Sequence, residues 1–179
     1  MAIAIEVGHY SISKSIKSVL RARLDATLAT LGATVTDYLP EDLQGAGSNV
    51  YLSDSRIPPQ ARQYLLISVV HTADERVISL GTQNSTYEIR ILSAIRGTQT
   101  ARSGSDPAPT FEDATWQTAG LLARAADYIL ERYLVAEASI YNVQRLRQAR
   151  APLDSLRPSV CGYVTNYQAF VRTRNPLGE

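Results

Sequence analysis

Cysteine, histidine and lysine are almost missing from this sequence: Cys161 is the only cysteine, His9 and His71 the only histidines, and Lys14 and Lys17 the only lysines among 179 residues. A lone cysteine in an apolar stretch excludes an intramolecular disulfide and any multi-thiolate zinc site. The chain is long enough to fold by burying apolar surface alone, and it reads as cytosolic. No uninterrupted apolar run approaches the roughly 18 residues of a membrane-spanning helix. The opening MAIAIEVGHY lacks the basic start and apolar core of a secretory signal, so neither secretion nor membrane insertion is expected. The formal net charge is only +1, which supplies no global field to attract nucleic acid or anionic lipid.

The charge that is present is unevenly placed. From Tyr141 onward Arg145, Arg147, Arg150, Arg157, Arg172 and Arg174 face only Asp154 and Glu179 as side-chain acids. The cations are overwhelmingly arginine, whose planar fork suits bidentate pairing with carboxylates and which is enriched at protein interfaces, where lysine is depleted. Codon bias in a GC-rich genome is the alternative source of the same preference.

Ile12, Ile16, Val19, Leu20, Leu24, Leu28 and Leu31 recur at three- and four-residue steps, which predicts a helix over Ser11 to Leu31. Ser11 or Ser13 could cap it, and Gly32 stands where a left-handed residue would end it. A short β-type run, Ala33 to Leu39, precedes the turn-rich PEDLQGAGSN and then VYLSDSRIPPQ, where Pro58 and Pro59 block regular pairing. RQYLLISVVHT, Arg62 to Thr72, is apolar on both faces, the pattern of a strand covered twice or placed at an interface. Ser85 to Arg96 alternates, with Tyr87, Ile89, Ile91, Ser93 and Ile95 on one side. These two strands are expected to pair antiparallel through a connector holding Asp74, Glu75 and Gly81. Gly97 to Thr110 is too poor in apolar residues to pack as core and reads as a long mobile loop. Thr110 with Asp113 then signals the start of a second amphipathic helix running to about Val135. Two further strands, Ile140 to Arg150 and Val160 to Arg172, flank APLDSLRP; on the last, Cys161, Tyr163, Thr165 and Tyr167 share one face. The expected class is α+β, two helices packed on one face of a mostly antiparallel sheet. It is expected as one domain over 1–179, with an extended C-terminal tail over about 173–179.

No familiar catalytic pattern stands out. Cys161 and His71 could form a nucleophile and base only if the fold joined them, and a buried cysteine packing as a small hydrophobe is the ordinary outcome. The acidic pairs Glu41–Asp42, Asp74–Glu75 and Glu112–Asp113 are explained by solvation or by a helix N-terminus, and none has metal-ligand spacing with a histidine. There is no GxxxxGK[ST], GxGxxG or HExxH; Gly45 and Gly47 in QGAGSN suggest a phosphate loop only superficially. The arginines after Tyr141 with Tyr141, Tyr163 and Tyr167 could make a basic, base-stacking β surface, although no RNA-binding or helix-turn-helix signature accompanies them. No catalytic residue, cofactor or metal is therefore expected. The arginines read better as subunit contacts, chiefly Arg56 and Arg62 around SRIPPQ, Arg102 in the long loop, and Arg145 with Arg147 in the basic C-terminal stretch.

In this order of elements the chain resembles the tail terminator and related neck proteins of long-tailed bacteriophages. The resemblance covers most of the length and rests on the helix at Ser11 to Leu31, on SRIPPQ before RQYLLISVV, on STYEIRILSAI, on FEDATWQTAGLLARAADYILERYL, and on two closing strands ending in GYVTNYQAFVR. It departs in the Gly97 to Thr110 loop and the proline-bearing connection between the last two strands. It implies a structural protein of the virion, assembled in the bacterial cytoplasm. It further implies a homo-oligomeric, hexameric ring that caps the tail tube, halts its growth and joins it to the head. The implied partners are other copies of the chain, the tube protein and a head-tail connector or neck protein, with DNA only passing through the lumen and no membrane involved. Another neck, tube or head-completion ring component remains the alternative, followed by a nucleic-acid-binding or small enzymatic domain.

Overall fold

Apolar residues at helical spacing become helix α1 (His9–Gly32), which buries Ile12, Ile16, Val19, Leu20, Leu24 and Leu28 and leaves Lys14, Arg21 and Asp25 in solvent. The computed structural model describes residues 9–35, 43–77, 82–96, 109–137, 140–152 and 160–174. Because α1 begins at His9, Ser11 and Ser13 lie inside it and do not cap it. Nor does Gly32 end it in a left-handed conformation, since Gly45, with φ 67°, is the only positive-φ glycine among the described residues. The helix closes instead through tight turns: Thr34 N–H and its Oγ1 donate to the Leu31 carbonyl at 3.0 and 2.7 Å, and Val35 N–H donates to Gly32 at 3.2 Å. Ala33 and Thr34 thus form a turn where a strand was expected, and 36–40 lies outside the described residues.

The turn-rich segment docks on α1 as a 3-10 turn, Ala46–Asn49. Gly47 N–H donates to Asp25 Oδ1 at 2.9 Å, and Arg21 Nη2 donates to the Ser48 carbonyl at 3.3 Å. A Cβ on Gly47 would stand 2.8 Å from the Arg21 carbonyl oxygen, so this close approach requires glycine. The chain then enters β1 (Val50–Leu52), which runs parallel to β2 (Gln63–Val77). β2 pairs antiparallel with β3 (Thr82–Arg96), carrying Asp74 opposite Ser85 and Glu75 opposite Asn84. Those acids therefore belong to the strand and not to the connector.

Helix α2 (Pro109–Glu137) starts on a proline, whose missing N–H is no loss in a first turn. Pro109 and Thr110 are accordingly helical, and the rest of the expected loop, Arg102 included, falls outside the described residues. β4 (Ile140–Pro152) and β5 (Val160–Arg174) complete a five-stranded sheet in the order β1-β2-β3-β5-β4. Thr173 and Arg174 still pair with β3, so the strand extends into the expected tail.

Strand alternation sorts the sheet into two faces. Val50, Leu65, Ile67, Tyr87, Ile89, Ile91, Tyr167, Ala169 and Val171 are buried beneath the helices. Helix α1 lies over β1 and β2, and α2 over β3, β5 and β4. The class is α+β, with two helices on one face of a mostly antiparallel sheet. Each fully buried Leu or Ile contributes about 1.5–3 kcal/mol relative to exposure, which is why the two apolar stripes settle on this one face.

Candidate interaction surfaces

The sheet separates the only cysteine from the described strand histidine. His71 lies opposite Tyr87, and Tyr87 opposite Ala169, eight residues along β5 from Cys161; at strand rise that is roughly 26 Å. They cannot act as nucleophile and base within one chain. His71 packs its ring against Tyr87 at 5.1 Å, and His9 begins α1. Among the described residues no three His, Cys, Asp or Glu side chains cluster as a metal site would require. Glu112 and Asp113 sit in the first turns of α2, as a helix dipole favours, while Glu41 and Asp42 lie outside the described residues. In QGAGSN the Gly47 amide is already occupied by the Asp25 carboxylate, an anion from the same chain in the place where a phosphate would have to bind.

Of the three tyrosines in the base-stacking reading, Tyr141 lies on β4 with its side chain outside the described ones, and the other two face the helices. Tyr167 is fully buried, and its hydroxyl donates to Asp127 Oδ1 on α2. Tyr163, on the same helix-covered face, meets Trp116 edge-on at 5.4 Å. The Tyr167 ring cannot receive a base, and Tyr163 is half-buried. Sequence alternation placed both tyrosines on one face correctly, but could not say that the helices cover it. Arg145, Arg147 and Arg150 lie on β4, Arg172 and Arg174 end β5, and Arg157 is outside the described residues.

Arg56 and Arg62 are exposed in the connector between β1 and β2. This connector is held by a residue that sequence reasoning missed. Arg96 Nη1 donates to the carbonyls of Pro58 and Pro59 at 3.0 and 2.8 Å, and its guanidinium lies 5.4 Å from the Tyr64 ring. Its backbone N–H reaches the Arg62 carbonyl at 2.6 Å. Arg96 stands far from Pro58 in sequence, so no local pattern could have marked it. The connector belongs to the β1 side of the sheet, whereas Arg145 and Arg147 occupy the β4 edge. Four strand spacings, roughly 19 Å, separate these edges.

Two further surfaces have the character of contacts. On the sheet face away from the helices, Leu66, Leu92 and Val164 form one half-buried row, and Val70 is 52% exposed. Between the helices a groove of about 320 Å³ is lined by Ala22, Ala26, Thr27, Thr30, Tyr128 and Tyr133, among others. The Arg23 guanidinium lies 4.0 Å over Tyr133, and Arg132 donates to the Tyr128 hydroxyl at 2.7 Å. The i, i+4 spacing of Tyr128 and Arg132 is legible in the sequence; the pairing of Arg23 with Tyr133 is not. No protein-family model matches this chain, and no curated protein matches it.

Proposed function

We propose that this chain is a structural subunit that assembles head-to-tail into a ring. In the reading its resemblance supports, that ring is the hexameric tail terminator of a long-tailed bacteriophage, capping the tail tube, ending its growth and joining it to the head. The observation that carries the proposal is that two arginine-bearing segments, the connector with the exposed Arg56 and Arg62 and the strand β4, lie at opposite edges of the sheet. A heterologous contact that closes into a ring needs two different surfaces on opposite sides of one subunit. The connector bearing Arg56 and Arg62 and the strand bearing Arg145 and Arg147 lie on opposite sides of the sheet. The ring's own partners are the tube protein below and a connector protein above, with DNA in the lumen.

A terminator binds the growing end of a tube and offers the next tube subunit no matching surface. Deleting the gene should therefore uncouple tail length from polymerisation. Electron microscopy of the lysate should show overlong tubes, or tails without heads, beside filled heads of normal appearance. Tails of normal length joined to heads would refute the reading.

A further inference from the structure

Among the described residues the sheet has two open edges, and they lie at the same level. β1 covers β2 only over Leu65–Ile67, and Ser53 N–H extends that cover by one bond to the Ile67 carbonyl at 2.8 Å. From Ser68 to Val77 the ladder of β2 runs to β3 alone among the described residues. The bond from Arg96 N–H to the Arg62 carbonyl fixes the alternation of this antiparallel ladder. Even-numbered residues of β2 bond toward β3 up to the irregularity after His71, and Val69 turns its amide and carbonyl to the open side.

On the opposite edge, β4 pairs regularly with β5 over Asn142–Arg145 and becomes irregular between Arg145 and Arg150. Arg145, Tyr167, Ile89 and Val69 make one row across the sheet, and Asn142, Phe170, Thr86 and Ala73 make another. The regular part of β4 is thus level with the open part of β2. The irregular part approaches the level that β1 covers, where Arg150, Thr165, Ile91, Ile67 and Leu52 share a row.

Strand direction completes the match. β2 is antiparallel to β3, β3 to β5, and β5 to β4, so β4 runs opposite to β2. Rotation about an axis along the strands leaves the sense of every strand unchanged. The β4 edge of one copy then meets the β2 edge of the next antiparallel, continuing the alternation the sheet already has. Two long edges left unpaired, as these are among the described residues, would otherwise template uncontrolled association.

We propose that β4 of one copy adds antiparallel to the open stretch of β2, Ser68–Val77, of the next, making the sheet continuous across each junction. This rests on the ring reading above and names the contact that closes it.

Val70 and Gln144 share a row, and adjacent strands sit at a separation a disulfide can bridge. The test uses the full chain carrying Val70→Cys together with Gln144→Cys, and a second pair, Val70→Cys with Asn142→Cys, that allows for a shifted register. Cys161 stays in place, so the parent and each single variant report its background. Mild oxidation of either pair should give a ladder of covalent multimers on a non-reducing gel, ending at the ring size, with no such ladder from the single variants. Rings visible by electron microscopy without a ladder from either pair would overturn this junction and leave the ring reading intact. A chain that forms neither rings nor ladders, alone or on tail tubes, would overturn both.

Discussion

Two glycines, one pressed against a neighbouring strand and one with room on a helix, should respond to the same substitution with opposite sign. Gly162 lies on β5 opposite Ala94 of β3. A Cβ placed there would stand 2.6 Å from the Ser93 carbonyl oxygen and 3.2 Å from both Cα and Cβ of Ala94. All three are backbone or first side-chain atoms, so no rotamer change relieves the contact. The β3–β5 ladder must open by several tenths of an ångström in the middle of the sheet. Overpacking of this kind costs about 1–3 kcal/mol, more than the roughly 0.5–1 kcal/mol that alanine gains over glycine in regular structure. Gly162→Ala should therefore destabilise the protein by about 1–2 kcal/mol, lowering Tm by roughly 2–8 °C for a domain of this size. Gly120 lies inside α2, and a Cβ there would meet only Tyr163 Cε2 at 3.7 Å, an ordinary contact. Gly120→Ala should stabilise by about 0.5–1 kcal/mol through helix propensity. Trp116 is the only tryptophan and packs on Tyr163, so its fluorescence can follow urea unfolding of both variants at one fixed protein concentration. A Gly162→Ala midpoint at or above that of the parent would refute the packing account of β3 and β5.

Tyr167→Phe removes the hydroxyl that donates to the buried Asp127 carboxylate, and a charge-assisted bond of this kind is worth about 1.5–3 kcal/mol. Tyr51→Phe removes only a half-buried bond to Asn49 Oδ1 at 3.0 Å, so urea titration should show a clearly smaller loss; equal losses would contradict the assignment. Gly47→Ala sets a Cβ 2.8 Å from the Arg21 carbonyl oxygen and 3.1 Å from Asp25 Oδ2. It should speed amide exchange over residues 46–49 and cost about 1–2 kcal/mol; unchanged exchange would mean that the 3-10 turn is not seated on α1 as described. Arg56 is exposed, so Arg56→Glu should shift stability by no more than about 0.5 kcal/mol while reducing the ring population in light scattering. Full ring assembly by that variant would remove the connector from the contact surface.

The elements were legible in the sequence because each depends on local periodicity. Three- and four-residue spacing marked α1 and α2, and alternation put Tyr87, Ile89 and Ile91 on one side of β3 and Tyr163, Thr165 and Tyr167 on one side of β5. A helix stripe or strand face is written in consecutive residues, so the class followed from the two helices needing one sheet to cover. The boundaries were less legible. Gly32 has the right identity for a left-handed helix end, yet the turn at Leu31–Val35 closes the helix without one. The candidate surfaces were legible only as residue types. Sequence could name arginines and an apolar strand, but which of them share an edge depends on the order β1-β2-β3-β5-β4, a long-range pairing that no local pattern encodes. Tertiary structure alone hid Tyr167 beneath α2 and set Cys161 and His71 at distant points of the sheet. It also held SRIPPQ through Arg96 and levelled the open half of β2 with the regular half of β4. Each of these joins residues far apart in the chain, where the energy of contact lies between elements and is invisible until they pack.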